Sequence, residues 1–309
     1  MEEETGHDFK FPPNYHTVQE LNNSIEELCN QHSDLMVRYK LGESAGKNDI
    51  WCCIVSSEKN ELQSKPASLI IGGHHGRECI GSEALYYTIN YLLNNYSSNA
   101  QIRTWIDQSA ILLIPLLNPD GHDIIERKNA NGVDLNRNYT FNWGNDGASH
   151  EPSSEIYCGP NPLSESETQV ANQMKIFDDL FIEYKNIKST LDIHSGTEII
   201  LHPWGHTKDP APDYDVFKKL CQQMEKKSQE MRVQFFEHIP AISLYPVAGD
   251  YMDHIYQLYH CISFVVEIYY RKWANDIFEF FNPPSEQVEA VCKRAFPIIS
   301  TIIEFAAKS

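Results

Sequence analysis

The sequence predicts an α/β protein in which helices cover both faces of a central sheet. Short runs of apolar residues, typical of fully buried strands, alternate along the chain with longer segments whose apolar residues recur at helical spacing. No internal repeat, low-complexity stretch or linker rich in Pro, Gly or Ser divides the 309 residues. We therefore expect one sheet and a single domain.

Four periodic segments predict helices, and six apolar runs predict strands. The helices are expected over 17–29, 82–96, 167–184 and 284–308. The strands are expected over 50–55, 68–71, 110–114, 190–193, 199–201 and 262–266. In the first helix, Val18, Leu21, Ile25 and Leu28 fall on one side of a helix with about 3.6 residues per turn, and the other helices follow the same rule.

The segment 118–166 interrupts this alternation, because it is polar and rich in Asn, Gly, Pro and Ser. A loop region of this length inside a compact domain is unusual and tends to be functional. Ligands of open α/β sheets bind at the carboxyl ends of the strands. We therefore expect the functional site where this segment meets those strand ends.

Acidic residues dominate the charge of the chain. The 43 Asp and Glu residues exceed the 25 Lys and Arg residues, which gives a net charge of −18 at pH 7. Such a surface repels phosphate backbones and anionic membranes, so neither nucleic acid nor a membrane is expected as a partner. No segment approaches the roughly 18 consecutive apolar residues that a membrane-spanning helix requires.

The cysteines indicate a reducing environment. Eight cysteines are scattered without a C-x-x-C pair, and Cys52 and Cys53 lie inside an apolar run. This pattern favours core-filling thiols, although an even count leaves a disulfide open. The acidic N-terminus lacks the apolar core of a secretory signal. We expect a cytoplasmic protein, with unconventional secretion as the alternative.

A candidate metal site begins directly after the strand over 68–71. His75 and Glu78 are separated by two residues, and imidazole nitrogen and carboxylate oxygen are both zinc ligands. The pair alone is equally consistent with loop residues that cap a helix. His194, at the end of another predicted strand, would add a third ligand and leave one position open, as in catalytic zinc sites. His74 competes with His75, but the spacing to Glu78 favours His75.

Further polar residues predict an anion-binding group and a buried carboxylate. Asn136 and Arg137 join an amide donor to a guanidinium fork that can bind a carboxylate through two hydrogen bonds. Arg127 and Arg137 could instead pair with surface carboxylates. Glu267 ends an apolar run, where a carboxylate is rarely without a partner or a task, and a buried salt bridge is the alternative interpretation.

Five motifs, taken in order, resemble the zinc metallocarboxypeptidases of the carboxypeptidase A and B family. They are His75-x-x-Glu78 with Arg77 between; Asn118-Pro-Asp-Gly followed by Arg127; Asp134-x-Asn136-Arg137-Asn138; Asp192-Ile-His194-Ser195 running on to Pro203-Trp204-Gly205; and Tyr245 to Gly249 followed by Glu267. The resemblance covers nearly the whole chain. It implies a mixed, mostly parallel sheet, an N-terminal extension over 1–14 and a catalytic domain over 15–309.

The resemblance implies hydrolysis of the C-terminal peptide bond of peptides and proteins, with one Zn²⁺ per chain. His75, Glu78 and His194 are its implied ligands. Glu267 is the implied general base, and Arg127 is the implied group that stabilises the oxyanion.

The resemblance also implies how the end of the substrate is recognised. Asn136, Arg137 and Tyr245 would hold the C-terminal carboxylate, and Arg77 would add a cation along the path of the substrate. The side chain of the substrate's last residue would enter a pocket whose composition decides which residues are released.

Three residues are expected at that pocket. Met252 stands where enzymes specific for basic residues commonly have an acid, and a flexible apolar Met favours aliphatic or aromatic side chains. Gly205 leaves room for bulk. Asp250 is close enough in sequence to meet a Lys or Arg side chain. We therefore expect release of hydrophobic residues first, with mixed hydrophobic and basic release as the second reading.

Two alternatives from other classes remain at this point. The chain could be an inactive relative that binds peptides, although every inspected motif position is present. It could also be an amidohydrolase of the same fold, such as a deglutamylase, although a cation expected near Met252 is missing from the neighbouring sequence. Since no inhibitory prosegment is expected ahead of the domain, a proteinaceous inhibitor is a further expected partner.

Overall fold

The central sheet contains eight strands in the part of the chain that the computed structural model describes, which is residues 9–58, 61–173 and 186–309. The strands are β1 (Met36–Glu43), β2 (Asp49–Val55), β3 (Ala67–Gly72), β4 (Ala110–Ile114), β5 (Ile187–His194), β6 (Glu198–His202), β7 (Glu237–Pro240) and β8 (Ile262–Ile268). Their order across the sheet is β1-β2-β4-β3-β5-β8-β6-β7. The pairs β3/β4, β3/β5, β5/β8 and β6/β7 are parallel and the other three are antiparallel. The expected mixed, mostly parallel sheet is confirmed.

Helices surround this sheet. Within the same described ranges they are α1 (Val18–Gln31), α2 (Cys79–Asn95), α3 (Ala100–Gln108), α4 (Pro119–His122), α5 (Ser166–Gln173), α6 (Tyr214–Glu230), α7 (Tyr251–Tyr259), α8 (Ile277–Phe281) and α9 (Val288–Ala307). The predicted helix over 167–184 is represented by α5, and the remainder of that prediction lies outside the described residues. α1 begins at Val18 because Thr17 and Glu20 form a capping box, which satisfies free backbone N–H groups at the start of the helix.

Both faces of the sheet are buried, as predicted. In β3, Leu69 and Ile71 belong to one hydrophobic cluster, whereas Ile70 between them belongs to another. Successive side chains of a strand point to opposite faces, so the two clusters lie on opposite faces of the sheet. α2 and α9 pack against β3 and β5, and α7 packs against β5 and β8. Among the described residues, the helices are too short or too polar for any of them to span a bilayer.

Seven elements of the structure were not predicted from the sequence: the strands β1 and β7 and the helices α3, α4, α6, α7 and α8. β1 and β7 are the two edge strands, and their half-exposed residues do not form a continuous apolar run. α6 carries a detectable signal that was missed, since Phe217, Leu220 and Met224 recur at helical spacing and are buried.

Acidification is expected to destabilise the fold through His254 on α7. This side chain is buried against Asn172 and Thr140, and burial lowers its pKa to about 4. The histidine pKa in an unfolded chain is about 6.5. Between these values the unfolded chain binds a proton that the folded chain does not bind. The contribution of His254 to the free energy of unfolding should therefore be complete above about pH 6.5. It should decrease as the pH is lowered toward 4, by up to about 1.4 kcal/mol per pH unit.

Urea unfolding of the wild type and of His254→Gln across this pH range measures the effect. The variant should lose less stability on acidification, because the titrating ring is gone. Equal losses in the two proteins would show that the wild type's acid sensitivity arises elsewhere.

Candidate active site

Three parallel strands bring the predicted metal ligands to one edge of the sheet. β3, β5 and β8 are consecutive neighbours, and His194 at the end of β5 is aligned with Glu267 on β8. The turn after β3 carries His74, His75 and Glu78 to the same edge. Gly76 is required in this turn, because a Cβ there would lie 2.1 Å from the carbonyl carbon of Gly121.

His75, Glu78 and His194 converge on one point. The Nδ1 atoms of the two histidines lie 3.2 Å apart, and each lies 2.8 Å from a different oxygen of Glu78. All three side chains are buried, and their ligand atoms lie within 4.8 Å of one another. The structure therefore brings together the three residues predicted from distant parts of the sequence.

Carboxylates orient both histidines. The Nε2 of His75 donates to Oδ1 of Asp134 at 3.0 Å, and the Nε2 of His194 donates to Oδ2 of Asp192 at 2.7 Å. With Nε2 held by a carboxylate, each ring turns its Nδ1 atom toward the other ring. Such carboxylate–histidine pairs are the usual support of metal ligands. Asp134 and Asp192 were part of the sequence motifs, but their support of the histidines was not predicted.

His74 belongs to a second, adjoining group. Its ring is fully buried, with Nδ1 2.8 Å from Asp192 and Nε2 2.8 Å from the hydroxyl of Tyr139. His74, Asp192 and His194 also lie close enough to hold a cation. Because Asp192 is the support of His194, whereas Glu78 contacts the Nδ1 atoms of both His75 and His194, the group around His75 is the better candidate metal site.

Zinc fits the donor set around His75. A tetrahedral zinc ion with bonds of about 2.0–2.1 Å separates its nitrogen ligands by roughly 3.3 Å, close to the 3.2 Å between the two Nδ1 atoms. Burial lowers the pKa of His75, assisted by Arg127. Burial also acts to lower the pKa of His194, but Asp192 and Glu78 outweigh it and hold that pKa well above its usual range. A metal cation at this point would replace the proton that these carboxylates hold on His194.

Two glutamates at the site have opposite electrostatic environments. Burial acts to raise the pKa of Glu78, but His75 and His194 outweigh it and hold the pKa below its usual range. Burial, with Glu78 nearby, raises the pKa of Glu267 to about 7. The Oε2 atom of Glu267 is buried and has no hydrogen-bond partner among the described residues. The buried salt bridge considered for Glu267 is therefore not formed by this oxygen.

The predicted anion-binding residues line the same cavity as the metal group. Lining residues include Arg127, Asn136, Arg137, Tyr245 and Glu267. Asp134 holds Arg127 through two hydrogen bonds to one oxygen, of 3.0 Å from Nε and 2.7 Å from Nη2, and Nη1 lies 3.4 Å from Nδ1 of His75. Arg127 thus pairs with a buried carboxylate rather than with a surface one.

Arg137 and Asn136 are held rigidly at the cavity. Arg137 donates from Nε to the carbonyl of Gly147 at 2.8 Å and from Nη1 to that of Asn136 at 2.6 Å. The Asn136 side chain accepts from the backbone of Tyr251 at 2.9 Å. Tyr245 is 49% exposed, so it stands at the rim.

The expected specificity residues occupy different positions. Met252 and Asp250 line the cavity and are buried. Gly205 is not among the described residues that line it: a Cβ at Gly205 would lie 3.2 Å from the Cβ of Val247, which does line the cavity. Any side chain at Gly205 would therefore press on the cavity wall from behind.

Arg77 lies near the site but is not among the described residues that line this cavity. Its guanidinium stacks on the ring of Phe281 at 4.5 Å, and Nη1 lies 3.2 Å from Glu155. Phe281 in turn lies against Gly196, two residues after His194, since a Cβ at Gly196 would be 3.0 Å from its ring. Arg77 is thus positioned beside the metal group on a separate surface.

Comparison with known proteins agrees with this geometry. The family model described as zinc carboxypeptidase matches residues 21–298. The chain is 25% identical to rat carboxypeptidase A2, over 98% of this chain and 73% of that protein. It is 28% identical to human carboxypeptidase B2, over 93% of this chain and 69% of that protein.

Solved structures give the same result. Bovine thrombin-activatable fibrinolysis inhibitor in complex with tick carboxypeptidase inhibitor superimposes with a TM-score of 0.81 at 25% identity, over 95% of this chain and 98% of that one. A carboxypeptidase A from Helicoverpa armigera has the same fold, with a TM-score of 0.82 over 96% of this chain and 74% of that one, at 22% identity. Because the family match spans most of the chain, the chain belongs to the zinc carboxypeptidase family of metallocarboxypeptidase hydrolases.

Proposed function

We propose that this protein is an active zinc exopeptidase that removes the last residue of peptides and proteins, with a preference for hydrophobic residues. One observation carries the proposal. His75, Glu78 and His194 meet at one point of a cavity that is also lined by Glu267 and Arg137. A metal group, a candidate base and a carboxylate-binding cation are thus within reach of one substrate.

His75, Glu78 and His194 would hold the zinc ion. Bound zinc activates water and polarises a carbonyl group. Glu267 is suited to take a proton from the attacking water and return it to the departing amine, because its Oε2 atom is buried and no described residue hydrogen-bonds to it. Arg127 is suited to stabilise the oxyanion, because Asp134 fixes its guanidinium beside His75.

Arg137, Asn136 and Tyr245 would distinguish an exopeptidase from an endopeptidase. Two backbone carbonyls hold the Arg137 guanidinium without neutralising its charge. A free C-terminal carboxylate would supply a counter-charge that binds the guanidinium through two hydrogen bonds. Tyr245 stands exposed at the rim, where it could cover a bound carboxylate.

Apolar walls support the preference for hydrophobic residues. Beyond Arg137 the cavity is lined by Leu201, Ala241, Val247, Met252 and Val265. These side chains offer dispersion contacts to an aliphatic or aromatic side chain, and the area that it buries favours binding.

The proposal extends to a cytoplasmic location and to regulation by a protein inhibitor. Cys52, Cys53, Cys79, Cys158, Cys221 and Cys292 are buried free thiols, which supports a reducing compartment such as the cytoplasm. The bovine neighbour is complexed with a carboxypeptidase inhibitor from tick, and a protein inhibitor that covers the cavity would likewise restrain this enzyme.

Mass spectrometry of a peptide library tests the proposal. Zinc-loaded protein should shorten peptides from the C-terminus, releasing Leu, Phe and similar residues first, and removal of the metal with a chelator should stop the reaction. C-terminally amidated copies of the same peptides are the control and should be shortened much more slowly. Intact peptides after incubation with zinc-loaded protein would instead favour the inactive, peptide-binding alternative.

A further inference from the structure

The lining of the cavity includes a carboxyl group that the proposed chemistry does not use, that of Asp250. Asp250 lines the cavity together with the apolar side chains around Met252, and only 4% of its surface is exposed. A buried carboxylate without a matching cation is costly. The question is therefore what compensates the charge of Asp250 when a substrate fills the cavity.

On its own helix, Asp250 has one stabilising contact and one opposing neighbour. As the N-cap of α7, its Oδ2 accepts a hydrogen bond of 3.1 Å from the backbone nitrogen of Asp253. The Asp253 carboxylate is a like charge. It is itself held by the backbone nitrogen of Gly205 at 2.9 Å and by His206 at 2.8 Å.

Other elements place further charged groups around the cavity. Arg137, on the turn over 135–137, is the cation that favours the ionised form of Asp250. The remaining titratable groups that line the cavity are His75, Arg127, His194, Tyr245 and Glu267. Burial and Asp253 outweigh Arg137 and the helix cap, and they raise the pKa of Asp250 to about 7. Near neutral pH the carboxyl group is therefore present in both forms.

A bound substrate changes this balance. Under the proposed function, Arg137 pairs with the C-terminal carboxylate, and its support for a charged Asp250 is shared with that group. A last residue with a cationic side chain supplies a new partner for the Asp250 carboxylate. An uncharged side chain supplies none, and burial then favours the neutral carboxyl group.

We propose that Asp250 is a specificity-determining residue whose protonation selects the substrate: the carboxylate accepts a basic last residue, and the neutral acid accepts an uncharged one. This inference rests on the proposed exopeptidase function. It explains both predicted specificities by two protonation states of one pocket: the neutral acid gives the preference for hydrophobic residues, and the carboxylate adds the acceptance of basic ones. By linkage, an uncharged substrate promotes protonation of Asp250 and a basic substrate opposes it.

Two N-blocked peptides that differ only in the last residue test the proposal. One ends in arginine and the other in citrulline, which has nearly the same shape and no charge. The ratio of their kcat/KM values, arginine over citrulline, should rise at least about tenfold between about pH 6 and about pH 8. Ionisations that affect the chemical step, including that of Glu267, act on both peptides and cancel in the ratio.

Two variants assign the effect to Asp250. Asp250→Asn preserves the helix cap, because Asn is as good an N-cap as Asp, and its ratio should be low and independent of pH. Asp253→Asn removes the like charge, and its rise should occur at lower pH than in the wild type. Thermal unfolding confirms that each variant is folded.

The outcomes distinguish a failure of this inference from a failure of the proposed exopeptidase function. A ratio that does not change with pH in the wild type, or that rises equally in Asp250→Asn, overturns the inference while the exopeptidase function stands. Failure of the zinc-loaded wild type to hydrolyse either peptide overturns the proposed function, and the inference falls with it.

Discussion

Glu267→Gln is expected to lower kcat about 10³-fold while zinc remains bound. Glutamine has nearly the same shape as glutamate, but it cannot take a proton from water or pass one to the departing amine. General acid–base groups contribute about 10²- to 10⁴-fold to enzymatic rates. The metal group should be retained, because the hydrogen bonds that orient it come from Asp134 and Asp192 and not from Glu267.

Steady-state kinetics and the zinc content of the purified variant measure these two effects separately. Glu198→Gln is the matched control: Glu198 lies on β6, next to β8, and pairs with Arg294 at 2.6 Å rather than lining the cavity. It should retain the wild-type rate. A Glu267→Gln protein with full zinc content and a rate near that of Glu198→Gln would remove Glu267 from the proposed chemistry.

The strands that could be predicted from the sequence are those buried on both faces. β4 matches its predicted bounds, and β3 and β8 extend theirs by one or two residues, because apolar side chains occupy most positions of such strands. The edge strands β1 and β7 meet no such requirement, so their sequences carry a weaker signal. Helix α6, in contrast, has apolar residues at clear helical spacing, so its sequence carries a signal from which it could have been predicted.

The residues of the site also differ in how far the sequence alone predicts their contacts. The spacing of His75 and Glu78 is local, so the sequence displays it directly. The contacts of Asp134 with His75 and Arg127 depend on how the long loop folds back across the strand ends, which no local pattern encodes. The environment of Asp250 likewise depends on Arg137, which is distant in sequence and is brought near only by the fold.

Arg137→Ala is expected to lower kcat/KM for peptides with a free C-terminus about 10²- to 10³-fold. Removing one partner of a buried, hydrogen-bonded charge pair costs about 2–5 kcal/mol, which corresponds to about 30- to 5000-fold and brackets the expected loss. Because the C-terminal amides of the same peptides carry no carboxylate for Arg137 to bind, their slow hydrolysis should change much less. The preference for free acids over amides should therefore collapse in the variant.

Two further variants decide whether the guanidinium fork or only its charge is responsible. Arg137→Lys keeps a cation but loses the planar fork, so its kcat/KM for free acids should lie between those of the wild type and Arg137→Ala. Arg77→Ala removes a cation that stacks on Phe281 outside the described lining of the cavity, and it should affect acids and amides alike. If a folded Arg137→Ala protein loses activity on acids and amides equally, the carboxylate is bound by another group, and the selectivity for chain ends must be sought elsewhere on the rim.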